Sequence, residues 1–357
     1  MNEPQLRGDV MRPSALGPSE IDIWHRMLVQ SASLQRAFFT PAFALACERA
    51  TDRAYVAVLH SGGTVRGFLP FQFRSSWHQH IRLAERIGGN LSDSAGLIAW
   101  PDFRSEPGTL LRLAGLASLF VTHLVVGQER FGFDADWSQV GHLTELREGP
   151  DAYFAALLAR DRLLVRDTER RFRKAEKTYG PLRFTITDRI PAAMIAALIA
   201  AKREQYRRTQ VPDAFTKRGH MQLIMAMNDA PMPECRLVMS RLEGGGRVLA
   251  QHLGPQHHDV LSHWLPVYDV EARSVSPGRL LLWHMIQRAT EDGIALIDYG
   301  EGDAVYKREL STAPTRYGRA NWSSGTVRSL VARAWQSAEW RLAARSRNVH
   351  KPSMEQN

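Results

Sequence analysis

Cysteine is nearly absent from this chain: Cys47 and Cys235 stand far apart in 357 residues, with no CxxC spacing. That scarcity leaves no disulfide framework, and both thiols read as buried and inert rather than as a nucleophile or a disulfide. Long apolar runs are missing as well. The longest, at 110–120, is broken by Arg112 and Gly115 and falls short of a membrane span. The 13 histidines include the neighbours His257 and His258 but no HExxH or comparable array, so no metal is expected. The N-terminus carries Glu3, Arg7 and Asp9 without an apolar segment, so no secretory leader is expected. The expected location is the cytoplasm, with a peripheral position at the inner membrane as its variant.

What is present is the balance of a soluble globular protein, 44% hydrophobic and 23% charged. The length suits two domains of ordinary size. A formal net charge of +9 favours an anionic partner, whether a nucleotide cofactor, an acidic glycan, a membrane surface or RNA, and identifies none of them.

Residues 1–18 contain three prolines and no periodicity, and read as a flexible tail. A helix is expected over 19–30, and a second from Thr40-Pro41 to Ala50, with threonine as cap and proline in the first turn. Two β-rich runs, 55–59 and 65–73, flank Gly62-Gly63 as a hairpin. Further strands are expected at 96–99 and 119–126, with a helix over 106–117. After Gly149-Pro150-Asp151 one long helix runs to Tyr179 and ends at Gly180-Pro181. A strand follows at 182–187, then helices at 195–208 and 219–228, and a three-stranded meander at 236–241, 247–252 and 260–265. A helix over 277–292, a strand at 295–298, a glycine-rich loop and a strand near 315–322 complete the core. The amphipathic helix at 327–345 precedes a polar tail. The order of helices, hairpin or meander, helix and strand occurs twice, without a residue-level repeat.

The most informative stretch is 260–307. A strand leads through Val267-Tyr268-Asp269 to Ser276-Pro277-Gly278-Arg279 and an apolar helix. Strand, glycine-bearing loop and helix N-terminus form an arrangement that binds pyrophosphate, because first-turn N–H groups and the helix dipole face the anion. Next comes the strand ending in Asp298-Tyr299, then Gly300-Glu301-Gly302-Asp303-Ala304-Val305-Tyr306-Lys307. Carboxylates, tyrosines and a lysine at a strand's C-terminal end make a candidate site.

These segments resemble the GNAT-type acetyltransferases of the CelD family, associated with bacterial cellulose and exopolysaccharide clusters. Thr40-Pro41-Ala42-Phe43, Val56-Ala57-Val58-Leu59, Gly67-Phe68-Leu69-Pro70-Phe71 and the basic run Arg170-Arg171-Phe172-Arg173-Lys174 extend the likeness over about 20–325. The resemblance implies an α+β fold of two tandem GNAT-like lobes, each a mixed, mostly antiparallel sheet flanked by helices. The lobes would be 19–150 and 151–325, with 326–357 as C-terminal helix and tail. It implies acetyl-CoA or another acyl-CoA as cosubstrate. Ser276, Pro277, Gly278, Arg279 and Leu280 would cradle the pyrophosphate, with one glycine and a preceding proline in place of Q/R-x-x-G-x-G/A. The strand ending at Leu265 would pair with the pantetheine arm. The family is also similar to FemAB-type aminoacyl transferases, whose Lys-x-x-Phe element is matched in position by Lys307-Arg308-Glu309-Leu310.

The implied reaction is attack of an amine or hydroxyl on a thioester carbonyl. Asp298, Glu301 and Asp303 are candidate bases, with His263 as the alternative. Tyr268 or Tyr306 would protonate the leaving thiolate, and Lys307 would stabilise an oxyanion or bind an anionic acceptor. The acceptor would be a small molecule, a sugar or a cell-envelope precursor. Two rivals stand beside this reading: a FemAB-like ligase using aminoacyl-tRNA, and a non-catalytic binding protein in polysaccharide assembly. The basic helix around 160–177 reads first as a solvated, salt-bridged surface, and second as a grip for tRNA or another polyanion.

Overall fold

The computed structural model describes residues 5–216, 218–229 and 234–349. The first half runs β1 (Arg7–Met11), α1 (Pro18–Leu28), α2 (Pro41–Thr51), β2 (Ala54–Ser61), β3 (Thr64–Gln72), α3 (Ser76–His80), β4 (Leu83–Arg86), β5 (Ile98–Ala99), α4 (Pro107–Leu113), β6 (Ser118–Val125) and β7 (Asp136–Glu145). The second half begins with α5 (Pro150–Arg160), α6 (Arg162–Tyr179), β8 (Leu182–Thr187), α7 (Ala192–Thr209), α8 (Arg218–Asp229), β9 (Arg236–Gly244) and β10 (Arg247–His257). It continues through β11 (Val260–Ser262), β12 (Leu265–Tyr268), α9 (Pro277–Gln287), β13 (Leu296–Glu301), α10 (Val305–Leu310), β14 (Ala313–Ser323) and α11 (Val327–Val349).

Local chemistry sets several boundaries as expected. Thr40 caps α2 by accepting the Phe43 N–H at 3.1 Å, with Pro41 first in the helix. Gly62 and Gly63, both at positive φ, turn β2 into β3. The apolar α9 buries Leu280, Leu281, Leu282, Met285 and Ile286 in the core of the second half. Cys47 and Cys235 are free and buried, and burial pushes both thiols up, Cys235 to about 12.

The strands form one sheet in the order β1-β2-β3-β4-β6-β14-β7-β13-β11-β10-β9-β8, with β5 added to β3 and β12 to β10. This order has the same plan read from either end. Each half contributes an antiparallel run followed by one parallel pair, β4 with β6 and β11 with β13. The final strands then cross over. β7 pairs with β13, β14 pairs with β6, and the two pair with each other at the centre. Each half thus covers the edge that the other would leave open.

Several sequence expectations differ from the structure. Within the expected tail, β1 pairs with β2 from Arg7↔His60 to Met11↔Val56. Its side chains are mostly exposed, so no alternation marked it; residues 1–4 lie outside the described residues. The long helix over 151–179 is two helices, because Asp161 leaves helical geometry and caps α6 through the Leu164 N–H at 2.9 Å. The strand over 260–265 divides at His263-Trp264 into β11 and β12. The glycine-rich loop is largely ordered as the end of β13 and α10. The C-terminal helix reaches Val349, and the expected polar tail beyond it lies outside the described residues.

Candidate active site

β10 changes partner along its length. Gln256 and His257 pair with Leu261 and Val260 of β11, whereas 250–253 pair with β12. β11 continues the sheet to β13, from Val260↔Leu296 to Ser262↔Asp298. Among the described strands β12 pairs with β10 alone. The sheet therefore opens after Ser262, and one edge of β12 is left without a strand.

Two residues hold the opening. At Gly254 a Cβ would lie 2.0 Å from the Ser262 carbonyl oxygen, so only glycine fits. His252 accepts the Trp264 N–H on Nε2 at 3.2 Å, and burial lowers its pKa to about 3. His263 stacks on it, with centroids 4.7 Å apart and planes within 2°. Such a stack suits two neutral rings, and burial also holds the His263 pKa well below its usual value. The His263 backbone N–H donates to the Asp298 carbonyl at 2.7 Å, while its Nδ1 has no partner.

At the opening lies a cleft of about 370 Å³, the size of a small-ligand site. His263, Pro266, Val267 and Tyr268 form one wall, and Val305 and Tyr306 of α10 form another. Burial raises the Tyr306 phenol to about 12, so it stays protonated at neutral pH. The remaining side is the start of α9. Ser276 sits in the left-handed region, and its carbonyl accepts the N–H groups of Arg279 and Leu280 at 3.0 and 3.2 Å. Gly278 faces open space, where an added Cβ would meet nothing within 4 Å. Glycine there is required by nothing in the protein's own packing.

Cations surround this helix start. Arg171 of α6 donates to Ser276 Oγ at 2.8 Å. Arg279 reaches Asp167 at 3.0 Å and Glu309 at 2.7 Å. Asp167 also accepts from Arg171 and Arg170, and these bonds lower its carboxyl to about 2. Of the basic run in α6, Arg170 and Arg171 are thus salt-bridged to Asp167, and Arg171 also donates to the α9 cap.

The structure brings His263, Tyr268, Ser276, Pro277, Gly278, Arg279 and Tyr306 together around the cleft. Leu265 and Leu280 have their side chains in the core. The polar candidates after β13 lie elsewhere. Asp298 is buried, accepting from Arg36 of the first half, from Tyr317 Oη at 2.8 Å and from the Gly300 N–H at 2.9 Å. Glu301 faces His123 at 3.6 Å and Arg319 at 3.7 Å. Asp303 is exposed, bonded to His142 at 2.9 Å and Arg308 at 2.7 Å, and the His142 bond holds its carboxyl low. Lys307 Nζ donates to the carbonyls of Tyr299 and Glu301 at 2.7 and 3.0 Å, and burial lowers its pKa.

Sequence reasoning missed Gln205, Arg273 and Glu309, which also line the cleft. It also missed Asp93. This carboxyl comes within 3.2 Å of the position a Cβ would take on Gly300. Burial raises it to about 7, against the pull of Arg86 and Lys307. In sequence Ser92-Asp93-Ser94 is an ordinary turn, and nothing local marks it.

Residues 164–308 match the family model described as an acetyltransferase (GNAT) domain. A comparison with curated proteins finds no match. Among solved structures the chain is similar to FemX, at 12% identity and a TM-score of 0.57, covering 87% of this chain and 96% of that one. A conserved protein of unknown function from Bacteroides thetaiotaomicron superposes at TM-score 0.53 and 11% identity, covering 86% and 98%. A tandem GNAT protein from the clavulanic acid biosynthesis pathway gives 0.50 and 14%, covering 90% and 99%. At these identities the likenesses speak to fold, and the fold is the tandem GNAT arrangement expected. Residues 164–308 thus match a GNAT-type acetyltransferase domain, and the fold around them is shared with a tandem GNAT protein.

Proposed function

We propose that the cleft binds an acyl-CoA and that the enzyme transfers its acyl group, in the first instance acetyl, to an amine or hydroxyl of a sugar or cell-envelope precursor. The observation that carries this reading is the opened sheet whose free β12 edge leads to the N-terminus of α9. Pyrophosphate would meet the Gly278 N–H and the helix dipole, with Arg171 and Arg279 beside it. The pantetheine amides would pair with the free edge of β12 at Leu265. The acceptor then attacks the thioester carbonyl carbon: a C–N or C–O bond forms and the C–S bond breaks. Tyr306, held protonated, gives its proton to the departing thiolate, with Tyr268 as the exposed alternative. Of the carboxyls around β13, Asp93 changes charge near neutrality, which suits it to take the acceptor's proton. Asp298 is saturated with donors and serves better to join the halves.

An exopolysaccharide role of the CelD type and a cytoplasmic setting belong to the same proposal. The second reading uses aminoacyl-tRNA as donor, favoured by the cationic α6 beside the α9 cap and by the fold shared with FemX. Thermal-shift measurements with acetyl-CoA, longer acyl-CoAs and aminoacyl-tRNA separate the two. At a hundredfold excess over Kd, a ligand bound only to the native state adds about 2.7 kcal/mol. Stabilisation by a CoA ester is the expected result. Stabilisation by aminoacyl-tRNA alone would transfer the donor to the second reading, and no shift with any of them would overturn both.

A further inference from the structure

Helix α11 is amphipathic the wrong way round. The residues it turns inward, Ser329, Ala332, Gln336 and Glu339, recur at helical spacing and are mostly polar. Each has a partner in the body of the first half or in β14. Ser329 Oγ accepts from Ser323 Oγ at 2.9 Å, Gln336 accepts from the Asn321 amide, and Glu339 pairs with His78 at 3.2 Å and Arg74 at 3.6 Å. Ala332 packs with Ile81, Leu83 and Ala117. The outward side is apolar. Val327, Leu330 and Val331 are 81%, 64% and 53% exposed, and Trp335 is exposed against Trp77 of α3, with ring centroids 5.4 Å apart.

Water does not select such a face, and a contiguous exposed apolar strip on a docked helix marks a surface that is covered in use. Charge says by what. Over 327–341 the basic residues Arg328, Arg333 and Arg341 are exposed, whereas the single acid, Glu339, is turned inward and neutralised. A second copy of the same face would bring arginine toward arginine with no exposed acid to answer it. An anionic lipid surface answers both features at once: phosphates meet the arginines, the aliphatic strip enters the headgroup–acyl boundary, and the paired indoles sit at that interface. The net charge of +9 draws the whole molecule the same way. We infer that α11, with Trp77, is the surface by which this protein docks on anionic lipid.

The test is sedimentation of the full chain with vesicles of phosphatidylcholine alone or mixed equally with phosphatidylglycerol. Two triple variants accompany it, Val327→Ser/Leu330→Ser/Val331→Ser and Arg328→Gln/Arg333→Gln/Arg341→Gln, whose altered side chains are solvent-exposed and leave the fold intact by thermal melting. Wild type is expected to sediment with the anionic vesicles and little with the neutral ones, and each variant to bind at least about tenfold more weakly. Wild type remaining in the supernatant, equal binding to both vesicles, or an apolar variant that sediments like wild type would overturn the inference. So would a concentration-dependent dimer that the apolar variant dissolves while no vesicle binding is seen.

Discussion

The two halves of the sheet share one plan and differ in what fills the gap. In the first half β3 pairs with β4 at Phe71 and Gln72 and with β5 at Gly67 and Phe68, just as β10 divides between β11 and β12. There, however, the chain closes its own opening. Ala95 bridges to Leu124 in parallel, exchanging hydrogen bonds with His123 and Val125 at 2.9 and 3.1 Å. Gln128 clamps both backbone groups of Leu97 at 2.8 and 3.1 Å. The space left between β3, β4 and β6 is about 20 Å³, against about 370 Å³ in the second half, room for little more than one water. A duplicated topology has therefore been spent in two ways: as a plugged scaffold and as an open cleft. On the proposed function, the donor binds in the second alone.

The sharpest way to break that comparison is at the glycine that keeps the cleft open. Gly254→Ala forces a Cβ against the Ser262 carbonyl and should cost about 3 kcal/mol or more. On β3, Gly67→Ala meets Ala99 and Ile98 at 3.0 and 3.1 Å and should cost about 1 kcal/mol. Urea denaturation of both variants checks the order; equal losses would mean that the two openings are built alike.

Gly278→Val should raise KM for acyl-CoA roughly 10–100-fold, about 1.4–2.7 kcal/mol, with melting unchanged because its Cβ enters open space. Gly108→Ala at the start of α4, the corresponding helix of the first half, should leave KM unaltered. A reversed pattern in steady-state kinetics would move the donor to the wrong half.

A smaller effect attends Asp93. Between its ordinary value of 3.8 and about 7, the native state holds a proton that the unfolded chain has lost, so stability falls as pH rises through that window. Asp93→Asn should then raise Tm at pH 8 by roughly 2–4 °C, about 1 kcal/mol, and by less at pH 5. If this carboxylate takes the acceptor's proton, kcat/KM rises through about pH 7 in wild type and the variant loses that limb. A variant with wild-type pH dependence would assign the proton elsewhere.

The smallest expected effect is on RNA. Replacing Arg170, Arg173 and Lys174 by glutamine should change tRNA binding little, since the wild type is expected to bind weakly and without a useful salt slope. A tight complex at physiological salt, lost in the variant, would promote the second donor reading.

How much of this was legible follows from where each signal resides. The cap at Thr40, the Gly62-Gly63 turn and the apolar α9 are local, and local chemistry announced them. β7 did not announce itself, although it lies at the centre of the sheet. Its ten residues are largely polar, and Gly141 interrupts them because a Cβ there would lie 2.4 Å from the Tyr317 ring. Arg36 and Asp298 are 262 residues apart, so no pattern in either segment foretells their buried pair. The start of α9 was found because a strand, a glycine and a helix start are contiguous in the chain. Asp93 was missed because its raised proton affinity is made by burial in the folded chain, against the pull of Arg86 and Lys307, and no local pattern carries that.

Titration calorimetry of a CoA ester into wild type and Gly278→Val decides whether the donor binds at the start of α9. One site per chain is expected in wild type, severely weakened in the variant, with the fold of both intact. Two sites per chain, or an undiminished site in Gly278→Val, would contradict that placement.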